Sequence, residues 1–503
     1  MPATVDTSKA LTALKWSYVG MAARSGSGLL IGIVLARLLG PKPFGIAAIA
    51  TLVIGFCNLL ADFGFGSAVV QKSLLLDEDI RFSFTAQLGA GCVLALICIL
   101  LAPALAVAFR SEEITPVVRT LALVFPIQAL GQTACSILRR NLQFRPIQTA
   151  QVVSYLAGYL GLGVPLAYLQ FGVWALVFAQ LGQAAVNSVL LFRAAPHSLS
   201  VSLRCRDRAA ITKFGTNVIC TNIVNWAILN LDNAFIGRAL GTVQLGLYSR
   251  AYNLAATPFA MVCGLQQVLF PASSRAQDNL GVLRRAYLGA TALVATSMLP
   301  LFAIVGIAAP TVIIGLYGSK WAGAIVLLRP LAIAMPLYLL VGIGGPLLWG
   351  MGKVQYELRA QGVTSVLAIA AYGIAARHSS AAVAWSVVLV YLFRFTLVTR
   401  YALRLLEVRW ADFLGTLLRP LLPCAVAGFV TYAADAALGR LGLPMPVRLF
   451  AVTVIALLPV AALVFLRPAM TLGRDGIAGL QALKRSLPPS VSRLLPVRQT
   501  VSV

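Results

Sequence analysis

The residues able to do chemistry in this chain sit inside apolar runs. Arg24 lies nine residues past Lys15, within the run Trp16–Leu38, about 13 Å along a helix at 1.5 Å per residue. A charge at mid-bilayer costs roughly 2.5–3.5 kcal/mol, so an intramembrane cation marks a functional site by default. Gly20, Arg24 and Ser27 or Gly28 share one helical face, which leaves room beside the cation for a bulky anion. The alternative is an arginine that snorkels or pairs with a carboxylate such as Asp62. Thr221, Asn222, Asn225, Asp232 and Asn233 fall within about 120° of arc on one helix. Such a stripe faces a polar cleft or bonds a partner helix through its amides. Gln180, Gln183 and Asn187 recur at i, i+3 and i+7, and Gln151, Tyr155 and Tyr159 at i, i+4 and i+8. Amides and tyrosine rings suit sugar hydroxyls and sugar faces, and they serve equally as interhelical bonds. Arg250, in Tyr248-Ser-Arg-Ala-Tyr-Asn253, either meets an anion or snorkels between two interfacial tyrosines. Arg394 and Arg419 read as paired or snorkelling. Asp62 and Asp232 are the carboxylates available inside the apolar runs.

The elements that must carry these residues are membrane helices. Of the 503 residues, 59% are apolar and 11% charged, against about 25% charged in a soluble domain. That excludes a soluble enzyme, a disordered chain and a disulfide scaffold. Fourteen apolar stretches are long enough to cross a bilayer, with the run 146–192 breaking at Gln170-Phe171-Gly172. The expected fold is an all-α integral membrane protein. Residues 1–15 form a cytoplasmic N-tail, retained rather than cleaved as a signal peptide. Spans 1–6 occupy 16–194, a basic cytoplasmic linker 195–213, spans 7–12 residues 214–405, spans 13 and 14 residues 406–467, and a basic cytoplasmic tail 468–503.

The net charge of +25 would suggest nucleic acid in a soluble protein. Alternating the loops from a cytoplasmic N-terminus places 26 of the 40 Lys and Arg inside and 9 outside. That asymmetry is the positive-inside pattern. It puts both termini in the cytoplasm, and the basic residues face anionic headgroups rather than nucleic acid. The eight cysteines form no CxxC pair and read as small packing residues.

The segment Ala36-Arg-Leu-Leu-Gly-Pro-Lys-Pro-Phe-Gly45 aligns with Gly237-Arg-Ala-Leu-Gly-Thr-Val-Gln-Leu-Gly246 at an offset of 201 residues. The offset spans six helices, so the halves keep one orientation: a parallel repeat about an axis along the membrane normal. The same offset superposes Arg24 on Asn225. Two six-helix lobes with spans 13 and 14 appended would enclose a central cleft.

Absences narrow the chemistry. The sequence has no GxxxxGK[ST] and no HExxH, and its two histidines, His197 and His378, lie far from carboxylate clusters. No metal or organic cofactor is expected. Asp77-Glu78-Asp79 has the look of a glycosyltransferase DxD but reads better as a solvated charge run. The short outer loops favour transport over glycan polymerisation or ligation.

Several stretches resemble the polysaccharide repeat-unit (Wzx-type) flippases of the multidrug/oligosaccharidyl-lipid/polysaccharide exporter superfamily. They are residues 36–45, Asp62-Phe-Gly-Phe-Gly-Ser-Ala68 to Gln71-Lys72, Arg140-Asn-Leu-Gln-Phe-Arg145, Leu231-Asp-Asn-Ala-Phe-Ile-Gly-Arg-Ala-Leu-Gly241, Leu247-Tyr-Ser-Arg-Ala-Tyr252, Phe270-Pro-Ala-Ser-Ser-Arg275 and Tyr317-Gly-Ser-Lys-Trp321. The resemblance covers about residues 10–350, and the rest through topology alone. It implies a carrier in the bacterial inner membrane, not an enzyme. Such a carrier turns an undecaprenyl-pyrophosphate-linked oligosaccharide from the cytoplasmic to the periplasmic leaflet by alternating access. It implies Arg24, and more weakly Arg250, as pyrophosphate contacts, with H+ or Na+ as coupling ion at Asp62 or Asp232. Membrane lipids, a polysaccharide polymerase and chain-length machinery are the partners it implies. The competing readings are a cation-coupled exporter of small molecules from the same superfamily and a membrane glycan polymerase or ligase.

Overall fold

A computed structural model describes residues 7–61, 69, 76–200, 202, 208–473, 476, 477, 480 and 481. Within the helix from Arg208, the side chains of 208–225 lie outside this description. Among the described residues the regular structure is helical. Helices α1 (Thr7–Leu39), α2 (Pro41–Ala61) and α3 (Asp77–Phe109) come first. A kinked pair follows, α4 (Ile114–Leu121) and α5 (Val124–Arg140). Next are α6 (Phe144–Tyr155) and α7 (Val173–Ala194). The long α8 (Arg208–Ala256) is interrupted at Gly241. Then come α9 (Phe259–Arg275), α10 (Leu280–Ile307), α11 (Ala309–Tyr317), α12 (Ile325–Gly350), α13 (Val354–Ala375) and α14 (Ser380–Leu405). The chain closes with α15 (Trp410–Leu418), α16 (Leu421–Arg440), α17 (Met445–Leu466) and the short α18 (Pro468–Thr471).

Twelve of the expected crossings are helices long and apolar enough to span a bilayer, among the described residues. The seventh and eighth expected spans coincide with α8 and α9. This is a multi-pass membrane protein. Its outward faces are apolar, as for Val107 (80% exposed) and Leu466 (78%), which suits acyl chains rather than water. The break expected at 170–172 is a turn with positive φ at Gln170 and Gly172. Asp77, Glu78 and Asp79 form the first turn of α3, where the helix dipole favours acidic groups, and the Asp79 carboxylate accepts the Leu76 N–H at 3.1 Å.

The chain divides into two compact units, 1–250 with 376–380, and 251–375 with 381–503. In the first, α3 packs on α5, α5 on α7, and α1 on α6. Beyond α6 the helix widens into a π-helical stretch, Leu156–Gly163, before a short α turn, Val164–Tyr168. In the second unit α12 packs on α9 and α10, and α16 on α10 and α17. Asp435 of α16 holds α17 through Arg448 Nε at 2.7 Å and accepts the Thr311 hydroxyl of α11, also at 2.7 Å. Helix α12 contains Pro330, Pro336 and Pro346. Pro346 has no N–H to offer the carbonyl four residues back. That carbonyl, on Gly342, accepts Gln266 Nε2 of α9 at 2.8 Å instead.

The 201-residue repeat is visible as a contact inside the first unit. A Cβ on Gly45 would overlap the Thr242 carbonyl and stand 3.1 Å from Gly246 N. A Cβ on Gly246 would overlap the Pro41 carbonyl and stand 3.0 Å from Gly45 N. Pro41 and Thr242 are themselves repeat mates, so the contact is reciprocal.

Candidate functional site

Helices α1 and α6 meet along a four-residue ladder on α1. Arg145 lies over the Trp16 ring, 5.1 Å from its centroid. Gln148 packs on Gly20, and the Tyr155 hydroxyl would stand 3.6 Å from a Cβ on Gly28. Arg24 occupies the rung between Gly20 and Gly28 and is exposed. The glycines on either side admit Gln148 and the Tyr155 hydroxyl, and the guanidinium is exposed between them.

Tyr155 and Tyr159, one turn apart, stack with ring centroids 4.7 Å apart. Both are half-buried, and the hydroxyls of both lie within the electrostatic reach of Arg24 and of Arg250. Arg250 comes from the far end of α8. Its NH2 donates to the Gly32 carbonyl at 3.1 Å, and its guanidinium lies 4.1 Å from the centre of the Phe44 ring. Gly32 has no side chain to obstruct this: a Cβ there would press on Arg250 NH1 at 3.3 Å. The first unit therefore brings together two cations and a two-ring aromatic face. Guanidinium forks match phosphate oxygens bidentately, and stacked phenols offer a flat face and two hydroxyls for a sugar.

The remaining sequence candidates fall elsewhere. Gln183 sits where α7 crosses the π-helical stretch: a Cβ on Gly158 would lie 2.7 Å from Gln183 N. Gln180 is half-buried on the same helix. Asp232 is buried and fully engaged. The Tyr248 hydroxyl donates to its Oδ2 at 2.5 Å, and Asn233 donates to Oδ1 from its backbone N at 2.8 Å and from Nδ2 at 3.1 Å. Asp232 precedes the Gly241 break in α8 and Tyr248 follows it, so this bond ties the two limbs together. Asp62 lies outside the described residues, as do the side chains of Asn222 and Asn225. Arg394 is paired, as one of its two readings had it, and its partner is Glu357. The Cys57 and Cys98 sulfurs lie 3.3 Å apart, a pairing that no spacing announces. Among the described residues, no cluster of three or more His, Cys, Asp or Glu is placed to hold a metal.

Sequence reasoning missed the part played by Gly32 and Phe44, which no periodicity singles out. It missed Glu357 too, which stands between the charges of Lys353 and Arg359. The signal available was its place in the stripe Glu357, Gln361 and Thr364, at i, i+4 and i+7.

Comparison with known proteins bears on the family and the fold. Lipopolysaccharide biosynthesis protein WzxC of Escherichia coli is 24% identical over 347 residues, covering 67% of this chain and 69% of that protein. Succinoglycan biosynthesis transport protein ExoT of Rhizobium meliloti is 26% identical over 355 residues, covering 70% of this chain and 72% of that protein. Teichuronic acid biosynthesis protein TuaB of Bacillus subtilis is 23% identical over 402 residues, covering 78% and 82%. In fold, the chain is similar to the lipid II flippase MurJ in an inward closed conformation, with a TM-score of 0.68, 13% identity, and coverage of 90% of this chain and 99% of that one. An inward-facing multidrug resistance MATE transporter of the MOP superfamily superposes with a TM-score of 0.61, 18% identity, and coverage of 76% and 94%. A family model described as polysaccharide biosynthesis protein matches residues 34–326, more than half of the chain, and the chain belongs to that family.

Proposed function

We propose that this protein is a lipid-linked oligosaccharide flippase. It moves an undecaprenyl-pyrophosphate-linked repeat unit from the cytoplasmic to the periplasmic leaflet of the bacterial inner membrane. Family membership supports a role in polysaccharide biosynthesis, and the fold shared with flippases and exporters supports a transporter rather than an enzyme. The observation that carries the substrate class is one face of α1 that carries exposed Arg24, meets the Tyr155 hydroxyl at Gly28 and holds the Arg250 guanidinium at Gly32, with Tyr159 stacked on Tyr155. A pyrophosphate and a glycan cannot cross hydrocarbon unaided. The two guanidiniums neutralise the first; the phenols, with Gln180, Gln183, Asn222 and Asn225 as further candidates, take the hydroxyls of the second. The acyl chain stays in lipid.

Two six-span lobes in parallel repeat, 16–194 and 214–405, rock about the site by alternating access, with both termini in the cytoplasm. A polysaccharide polymerase and its chain-length machinery receive the product. Asp62 and Asp232 are the sequence's candidates for coupling to H+ or Na+. The test is Arg24→Ala in cells lacking the native gene. Lipid-linked glycan should accumulate facing the cytoplasm while the variant is made and inserted at normal levels. Normal export by that variant would remove Arg24 from the site. Restored drug resistance without any glycan phenotype would favour the small-molecule exporter instead.

A further inference from the structure

The second unit contains a row of buried polar side chains that the proposed substrate site does not use. Glu357 and Gln361 of α13 and Arg394 of α14 are joined at one oxygen. Glu357 Oε1 accepts Arg394 NH2 at 3.2 Å and Gln361 Nε2 at 3.2 Å. All three residues are buried, as is Thr364 one turn further along α13. Glu357 Oε2, Gln361 Oε1, Thr364 Oγ1 and Arg394 Nε have no hydrogen-bond partner among the described residues. Thr364 departs here from its neighbours. Ser365, Thr396, Thr416 and Thr453 each donate back to the carbonyl four residues earlier, which is how a helical hydroxyl satisfies itself locally. The wholly buried Thr364 hydroxyl makes no such bond.

The four atoms restrict what can bind them. Buried polar groups are normally satisfied, by protein or by ordered water. Glu357 Oε2 and Gln361 Oε1 accept, Arg394 Nε donates, and the threonine hydroxyl does both. A cation would be repelled by the guanidinium and an anion by the carboxylate. A neutral molecule that both donates and accepts fits the set. Glu357 and Thr364 are seven residues apart, about 10 Å along a helix at 1.5 Å per residue. One water, with bonds of about 2.8 Å, does not span that distance, so the set takes a row of them. Space beside the carboxylate comes from Gly345 of α12, where a Cβ would stand 3.7 Å from Oε2. The opposite face of α13 carries Val363 and Val366, both exposed, which suits acyl chains and admits no water from that side.

We infer that α12, α13 and α14 enclose a binding site for a row of water molecules inside the membrane-spanning part of the second unit. One position has Arg394 Nε as donor and Glu357 Oε2 as acceptor. The next has Gln361 Oε1 as acceptor and Thr364 Oγ1 as donor or acceptor. Bonds among the waters bring each of them to the two to four polar partners, roughly, that a buried water needs. The site is independent of what the protein carries. It makes the tie between α13 and α14 a wet one: the helices are held directly at Oε1 and through water at Oε2.

The experiment uses the full chain in lipid bilayers. Water-edited solid-state NMR should pass magnetisation from water protons to the Thr364 side chain and to Arg394 Nε nearly as fast as to Arg359, which is exposed. Thr364→Val identifies the threonine signal. Transfer to both groups as slow as to Val387, buried among apolar side chains, would overturn the assignment. Gly345→Ala tests the space. Alanine is ordinarily the better residue inside a helix, and Gly362→Ala on α13, where a Cβ would meet nothing within 4 Å, should hold or raise the midpoint of thermal unfolding. Gly345→Ala should lower that midpoint and slow the transfer to Arg394, because the methyl group takes the place of water. A Gly345→Ala protein as stable as the wild type, or one with undiminished transfer, would also overturn it. The wild-type transfer decides alone should either variant fail to fold.

Discussion

Gly45 and Gly246 meet backbone to backbone, each against the carbonyl four positions upstream of the other, Thr242 for Gly45 and Pro41 for Gly246. Neither position has space for a methyl group, because the obstacle in each case is a main-chain carbonyl that cannot rotate away. Alanine at either site should therefore lower stability by about 1–3 kcal/mol, the usual cost of overpacking. Gly26, where a Cβ would meet nothing within 4 Å, is the control. Gly26→Ala should be neutral or stabilising by up to about 1 kcal/mol. Thermal unfolding in detergent separates the three variants.

Arg250 is held by geometry that a lysine cannot copy. The planar guanidinium lies against Phe44 while NH2 bonds the Gly32 carbonyl, and an ammonium is a point charge without that plane. Arg250→Lys should cut glycan export several-fold, and Arg250→Ala should cut it further, at unchanged protein levels. Equal export by the lysine variant would show that charge alone matters there.

The staple across the α8 break depends on one phenol. Tyr248→Phe leaves Asp232 Oδ2 buried without its donor, which costs about 1–3 kcal/mol. Its midpoint of thermal unfolding should fall, and a variant as stable as wild type would mean that the two limbs of α8 do not rely on this bond.

Asp435 joins α11, α16 and α17 through Thr311 and Arg448. Asp435→Ala strips Arg448 of its carboxylate as well as the Thr311 bond, whereas Thr311→Val removes one neutral partner. The first should destabilise by several kcal/mol as a broken, partly buried pair, the second by about 1 kcal/mol. Limited proteolysis near residues 440–445 should rank the variants in that order.

Much of this architecture is legible from residue order, for reasons that can be named. Apolar runs report spans because lipid demands them, and twelve stand as helices among the described residues. The 201-residue match between two short glycine motifs proves to be a physical contact, with glycine at both points where the backbones touch. The grouping of Gly20, Arg24 and Gly28 on one face follows from helical period alone. Other features leave no trace in periodicity. The π-helical stretch after Tyr155 has ordinary helix-forming composition. Glu357 lies among charged neighbours, Lys353 and Arg359, that mask its place on a buried helix face. The partner of Arg394 lies 37 residues away in sequence, and only packing brings the two together.

The bond from Gln266 to the Gly342 carbonyl means that the proline-bearing helix α12 borrows one of its donors from α9. A Cβ on Gly342 would stand 2.6 Å from that amide nitrogen, so the donor fits only because the acceptor residue has none. Loss of that amide would leave the carbonyl that Pro346 cannot satisfy without its donor, with no other change to the helix.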